Sequence, residues 1–88
     1  MRILSRDYRT DIPYDQVIVK VKEGEQNNCI IDFENLSGAS VYRCPGHFSR
    51  RQAENFVRAL AAQYANGRKV CYLADILAYV WGSEDGYR

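Results

Sequence analysis

The stretch from Cys44 to Gly67 limits the possible folds more than any other, because it carries a helix with both ends marked. Ser49 stands where an N-cap belongs, and Gln52, three residues on, completes the pattern of a capping box. Apolar residues then recur at Ala53, Phe56, Val57, Leu60, Ala61 and Tyr64, the i, i+3, i+4, i+7 spacing of a helix with one buried face. Asn66-Gly67 closes the segment, since glycine accepts the left-handed conformation beyond a helix C-terminus.

The chain before this helix reads as strand. Ile3 and Leu4 start a short one, and Ser5-Arg6-Asp7 breaks it. Asp11 to Asp15 reads as a turn, with Pro13 fixing its own φ and pushing Ile12 towards an extended conformation. Val17, Val19 and Val21 alternate with Ile18, Lys20 and Lys22, a half-buried strand by period and β-branching. Glu23 to Asn28 is a polar hairpin loop, Cys29 to Phe33 the return strand, and Asn35 to Gly38 a second turn. Ala39 to Cys44 makes a third strand, ended by Pro45-Gly46. After Gly67 the pattern is mixed. Leu73, Ile76, Leu77 and Val80 fit helical spacing, whereas Val70 to Leu73 and Leu77 to Trp81 have strand composition. A short helical turn over 73–77 flanked by extended pieces is expected, then a polar tail from Gly82 to Gly86. The fold class is α+β: an antiparallel sheet of three to five strands with one long helix across a face, residues 1–88 forming a single domain.

Composition narrows the function. The chain is 47% apolar and 26% charged with two prolines, which is globular rather than disordered. Its net charge of +1 argues against a general DNA-coating protein. No apolar run approaches the roughly 18 residues that span a bilayer, and residues 1–6 lack a secretory apolar core, so a cytoplasmic location without membrane attachment is expected. Three cysteines at wide spacing suit reduced thiols better than a disulfide framework.

Four readings assign residues to chemistry or binding. The first is the start of the helix. Free backbone N–H groups and the dipole draw anions there, yet Arg50 and Arg51 occupy the same turn, a local conflict of the kind that collects at functional sites. Gly46 would admit close backbone approach, His47 and Ser49 add donors, Asn55 and Arg58 extend the strip, and Tyr42 or Phe48 offers a stacking surface for a base. The competing reading is a solvated helix face with Glu54 and Arg58 as an i,i+4 pair. The second is Cys44-x-x-His47, half of a zinc-knuckle spacing; structural zinc needs a second pair, Cys29 and Cys71 stand alone in sequence, and three small buried thiols are the favoured account of the pattern. The same pair read as nucleophile and base lacks a marked oxyanion hole or orienting carboxylate, and Asp32 with Glu34 reads as a solvated strand face, so no catalytic residue is assigned. The fourth is aromatic: Tyr72, Tyr79, Trp81 and Tyr87 crowd the last quarter, either as a partner surface or with Trp81 closing the core over the helix.

The opening Met1-Arg2-Ile3-Leu4-Ser5-Arg6-Asp7 and the strand entry Ile12-Pro13-Tyr14-Asp15-Gln16-Val17 resemble those of a group of small proteins encoded by phages, prophages and mobile elements of Gram-positive bacteria. Chains of that group open Met-Lys-Ile-Leu-Ser-Gln-Asp and enter a strand through Pro-Tyr-Glu-Gln. They continue to a Ser/Thr-initiated helix ending in Tyr and a short C-terminal strand, which Ser49 to Tyr64 and Tyr79-Val80-Trp81 match here. The likeness covers residues 1–17 in sequence and the helix by pattern. It departs at Arg6, at Cys44 to His47 and in the longer segment after Gly67. What it implies is a genomic setting, in which small non-catalytic proteins act as counter-defence or host-takeover binders.

The expectation is therefore a non-enzymatic, homo-oligomeric binding protein with no cofactor and no metal site. In one form it sequesters a small anionic ligand, a nucleotide-derived signal, through Tyr42, Gly46, His47, Ser49, Arg50, Arg51, Asn55 and Arg58. In the other it blocks a host defence protein through Tyr72, Tyr79 and Trp81, as anti-CRISPR proteins do. A Cys/His metal module is a further alternative.

Overall fold

The marked helix forms between its two signals. In the structure, a computed structural model that describes residues 1–85, helix α1 spans Arg50–Ala65. Ser49 Oγ accepts the Gln52 backbone N–H at 3.1 Å, and Gln52 Oε1 accepts the Ser49 N–H at 2.9 Å, closing the capping box. At the far end Gly67 sits at φ +76°. Its N–H bonds the Tyr64 carbonyl while the Arg68 N–H bonds that of Gln63, the paired bonds of a Schellman closure. Ala53, Phe56 and Leu60 are the buried stripe. Ala61 and Tyr64, expected on it, are exposed. A second helix packs against α1, and Ala59 rather than Ala61 joins the core; the Tyr64 ring rests instead on Tyr14, 5.2 Å away.

The α+β class holds, with the strands divided between two three-stranded sheets. In the first, β1 (Arg2–Leu4) lies between β2 (Asp11–Pro13) and β6 (Val70–Tyr72). It runs antiparallel to β2 and parallel to β6. Residues 11–13, expected as part of a turn, thus form a strand, and the turn itself is the 3-10 segment Tyr14–Gln16. The second sheet is an antiparallel meander of β3 (Ile18–Glu23), β4 (Cys29–Glu34) and β5 (Ser40–Arg43).

The segment after Gly67 departs most from expectation. Among its described residues only Val70–Tyr72 is extended; helix α2 then runs Leu73–Asp85, so Tyr79, Val80 and Trp81 are helical and form no strand. The apolar spacing decides the matter. Leu73, Ile76, Leu77 and Val80 form one buried helical face, which a strand would have split between two sides. The expected tail is helical through Asp85; Gly86 and Tyr87 lie outside the described residues.

An aromatic chain ties these layers together. Phe33 of β4 meets Phe56 of α1 edge-on at 6.3 Å, Phe56 meets Phe48 at 6.0 Å, and Phe48 stacks on Trp81 of α2 at 5.5 Å. Each such pair adds about 0.5–1.5 kcal/mol beyond its buried area. Gly46 serves this chain: it sits at φ +89°, and a Cβ there would come within 3.3 Å of Trp81 Cζ2. What approaches Gly46 closely is therefore the protein's own indole. Gly38 has φ +94° with nothing within 4 Å of its Cβ position. Both Gly46→Ala and Gly38→Ala should lose about 1–3 kcal/mol for the positive φ. Only Gly46→Ala should also shift the emission of Trp81, measured by fluorescence alongside thermal melts.

Candidate functional site

The residues assigned to one anion site do not converge: Arg50 and Arg58, His47, and Tyr42 line three separate grooves, and Gly46, Ser49, Arg51 and Asn55 line none of these. Ser49 is spent on the helix cap. Arg50 pairs with Glu23, the last residue of β3. With Arg58, Glu54 and Glu23 it rims a groove of about 360 Å³ between β3 and α1 whose floor is Val21, Cys29 and Val57. The rim carries two cations and two carboxylates over an apolar base, so it holds no net charge for a phosphate. The expected Glu54–Arg58 bridge is not among the ion pairs of the described residues; Arg50 makes the contact instead, across to the sheet. Arg51 is exposed and Asn55 half-buried.

His47 faces elsewhere. It lines a groove with Gly24, Glu25, Gln26, Asn28 and Ile30 at the β3–β4 loop. Cys44, three residues before it, is buried, and its thiol is pushed up to about 12 by burial and then by the charge of Asp32. A nucleophilic or metal-binding thiolate needs the opposite shift, so this environment holds Cys44 as a thiol. Cys29 and Cys71 are likewise buried and free.

Tyr42 lies in the third groove, about 470 Å³, with Arg6, Asp7, Arg43 and Pro45. Burial raises its hydroxyl above the ordinary range, with the Arg6 backbone amide working against that. The Arg6 guanidinium lies over the Trp81 ring, 5.9 Å from its centroid. The Asp7 carboxylate accepts the Ser5 hydroxyl at 2.7 Å and the Arg9 backbone N–H at 3.1 Å, and both hold it below the usual carboxylate range. Sequence reasoning missed Arg6 and Arg43 as neighbours because 37 positions separate them.

The aromatic residues also divide. Trp81 is half-buried, stacked between Phe48 and Arg6, and closes the core. Tyr72 is exposed and meets Tyr8 edge-on at 6.3 Å. Tyr79 is 58% exposed beside Ala59, Ala62, Gln63, Asp75 and Ile76 in a groove between α1 and α2.

Asp32 and Glu34, expected to be solvated, are buried. They do point away from α1, but the cations on either side cover them. Register places Lys20 and Arg43 directly opposite Asp32, on β3 and β5. Lys22 Nζ reaches Glu34 at 2.8 Å and Asp32 at 3.2 Å, Arg43 Nη2 reaches Asp32 at 3.3 Å, and the Ser40 hydroxyl donates to Asp32 at 2.7 Å. Lys20 is the loosest member, 3.8 Å from Glu34. Burial alone would raise the Asp32 carboxyl, but Ser40, Arg43 and Lys22 together hold it below the ordinary value. Glu34 is lowered chiefly by Lys22. The signal was present in the sequence: cations at every second position of β3 facing carboxylates at every second position of β4.

Comparison with protein-family models, with curated proteins and with solved structures finds no match to this chain. No helix among the described residues is long and apolar enough to cross a membrane.

The carboxylate network has a pH signature. A carboxylate with a depressed folded pKa binds its proton more weakly than the unfolded chain does, so its stabilisation is full above the ordinary carboxylate range and lost as pH falls through the folded values. The melting temperature should therefore hold from pH 7 down to about pH 4 and drop below that. Asp32→Asn should lower it at pH 7, because the Lys22 and Arg43 charges lose a partner, and should shrink the drop between pH 4 and pH 2. An unchanged acid slope in Asp32→Asn would show that other groups govern it.

Proposed function

We propose that this chain is a non-enzymatic binding protein that holds an extended segment of a protein partner in the groove between β3 and α1. One observation carries the reading: a groove with an apolar floor of Val21, Cys29 and Val57 runs beside the edge of β3, a strand that pairs only with β4 among the described residues. An unpaired edge offers backbone donors and acceptors to an added strand, and a neighbouring apolar trough takes that strand's alternate side chains. Val21, on the floor of the groove, is 41% exposed, apolar surface that such a segment would cover.

The likeness of residues 1–17 to small phage-encoded proteins directs this reading to host defence proteins as partners, bound stoichiometrically in counter-defence. Self-association, on the same reading, belongs to the exposed Tyr79 and Tyr72 rather than to Trp81. Display selection of peptides against the whole chain tests the groove. Binders should lose at least tenfold in affinity to Val57→Glu and keep their affinity for Arg51→Glu, with both variants melting as the parent does. Binders indifferent to Val57→Glu would reject the groove.

A second reading, sequestration of a phosphate-bearing, nucleotide-derived ligand, draws support from a different place than the helix start. Arg6, Arg43 and Tyr42 line one groove with Asp7; Arg43 is already paired with Asp32, and the Arg6 guanidinium beside a phenol is what suits a phosphate next to a base. Calorimetry with cyclic nucleotides should then give heat that Arg6→Gln abolishes and Arg50→Gln leaves intact; silence with the parent protein would remove this reading.

A further inference from the structure

The edge of β3 also carries information about what it accepts. On the face away from α1, Arg43, Asp32 and Lys20 stand opposite one another across β5, β4 and β3, a row that alternates positive, negative, positive and stops at the free edge. Lys20 ends the row with its side chain 54% exposed and its nearest carboxylate 3.8 Å away, whereas Lys22 is held by two carboxylates. Cross-strand neighbours of opposite charge stabilise a sheet and like charges destabilise it. The next strand is thus favoured when it places a carboxylate opposite Lys20. Its residues on either side of that carboxylate fall on the other face, opposite Val19 and Val21, where Val57 and the groove await apolar side chains.

Resting on the strand-docking reading above, we infer that the segment received at β3 has the alternation apolar–acidic–apolar, and that it belongs to a different protein rather than to a second copy of this chain. Self-pairing fails on the same charges. Opposed residues in an antiparallel pair share a face, so two copies of β3 joined about a two-fold axis over most of their length set Lys20 against the other copy's Lys20 or Lys22. Lysine on an exposed edge is a common guard against such pairing. Here the guard is also a selector, because an acidic strand turns the repulsion into attraction.

The test uses the whole chain, labelled with nitrogen-15, and two capped heptapeptides, one alternating valine with glutamate and the other valine with lysine. At low ionic strength the glutamate peptide should shift the amides of Ile18 to Glu23 and bind about fivefold more tightly than the lysine peptide, with the gap closing in high salt. Lys20→Glu should invert the order. Lys20→Gln, which keeps the stem beside Glu34 without the charge, should bring the two peptides close to parity if the glutamate variant does not fold. Equal binding of both peptides at β3 overturns the charge rule and leaves strand docking standing. Shifts confined to other elements, or absent with both peptides, overturn the docking reading and this inference together. Shifts of the β3 amides on raising protein concentration alone assign the edge to a second copy and overturn the inference.

Discussion

The architecture depends on two backbone hydrogen bonds between Cys29 and Phe48. The Cys29 N–H donates to the Phe48 carbonyl at 2.6 Å and the Phe48 N–H returns to Cys29 at 3.0 Å, an antiparallel bridge just before α1 begins. It pins the helix entry to the first residue of β4, and Glu23 stands opposite that residue on β3. The helix therefore starts where Arg50 meets Glu23. The bridge also buries Phe48, which links Phe56 to Trp81 and so joins α2 to the rest. Cys44 repeats the device one step earlier, its N–H bonding the Ile31 carbonyl at 3.0 Å. Together the two contacts make the Cys44 to Phe48 turn follow β4 instead of looping into solvent.

This anchoring explains why the arginines at the helix start form no phosphate cradle. Arg50 is drawn to Glu23 by the same register that seats the helix, and the dipole's aversion to a cation in the first turn is offset by that carboxylate. A local conflict that reads as functional in one dimension is resolved by a neighbour 27 positions away. The second sheet handles charge by the same means. Two carboxylates on the face without a helix are covered by lysine and arginine stems, which bring apolar methylenes as well as charge.

Local signals were legible in proportion to how local their physics is. The capping box, the Gly67 closure and the β3–β4–β5 meander follow from neighbouring residues, and each stands where its sequence placed it. Within 70–81 the extended piece at Val70–Tyr72 and the helical turn over 73–77 stand where the sequence puts them, and only the second extended piece, Leu77 to Trp81, is overturned: its strand composition is outweighed by the buried face that Leu73, Ile76, Leu77 and Val80 share. The parallel pairing of β6 with β1 joins segments far apart in sequence, Arg2–Leu4 and Val70–Tyr72, and has no short-range signal at all. The candidate site residues are dispersed for the same reason. Gly46, His47, Arg50 and Tyr42 are close in sequence, but the turn that follows β4 aims them at Trp81, the β3–β4 loop, Glu23 and Arg6 respectively.

What remains uncommitted points to binding by shape and backbone. The thiols are buried, with Cys44 held protonated, the strongest carboxylates are locked to cations, and Ser49 caps its helix. Groups so engaged stabilise the fold. The strand β3 is the contrast: one edge paired, apolar side chains partly bare, a lysine at the end of a charge row, and a trough alongside. A small sheet normally hides or blunts such an edge. Here the blunting is electrostatic and therefore conditional on the charge of what arrives, so on the proposed reading the lysine that opposes pairing of two β3 edges favours an acidic strand from another protein.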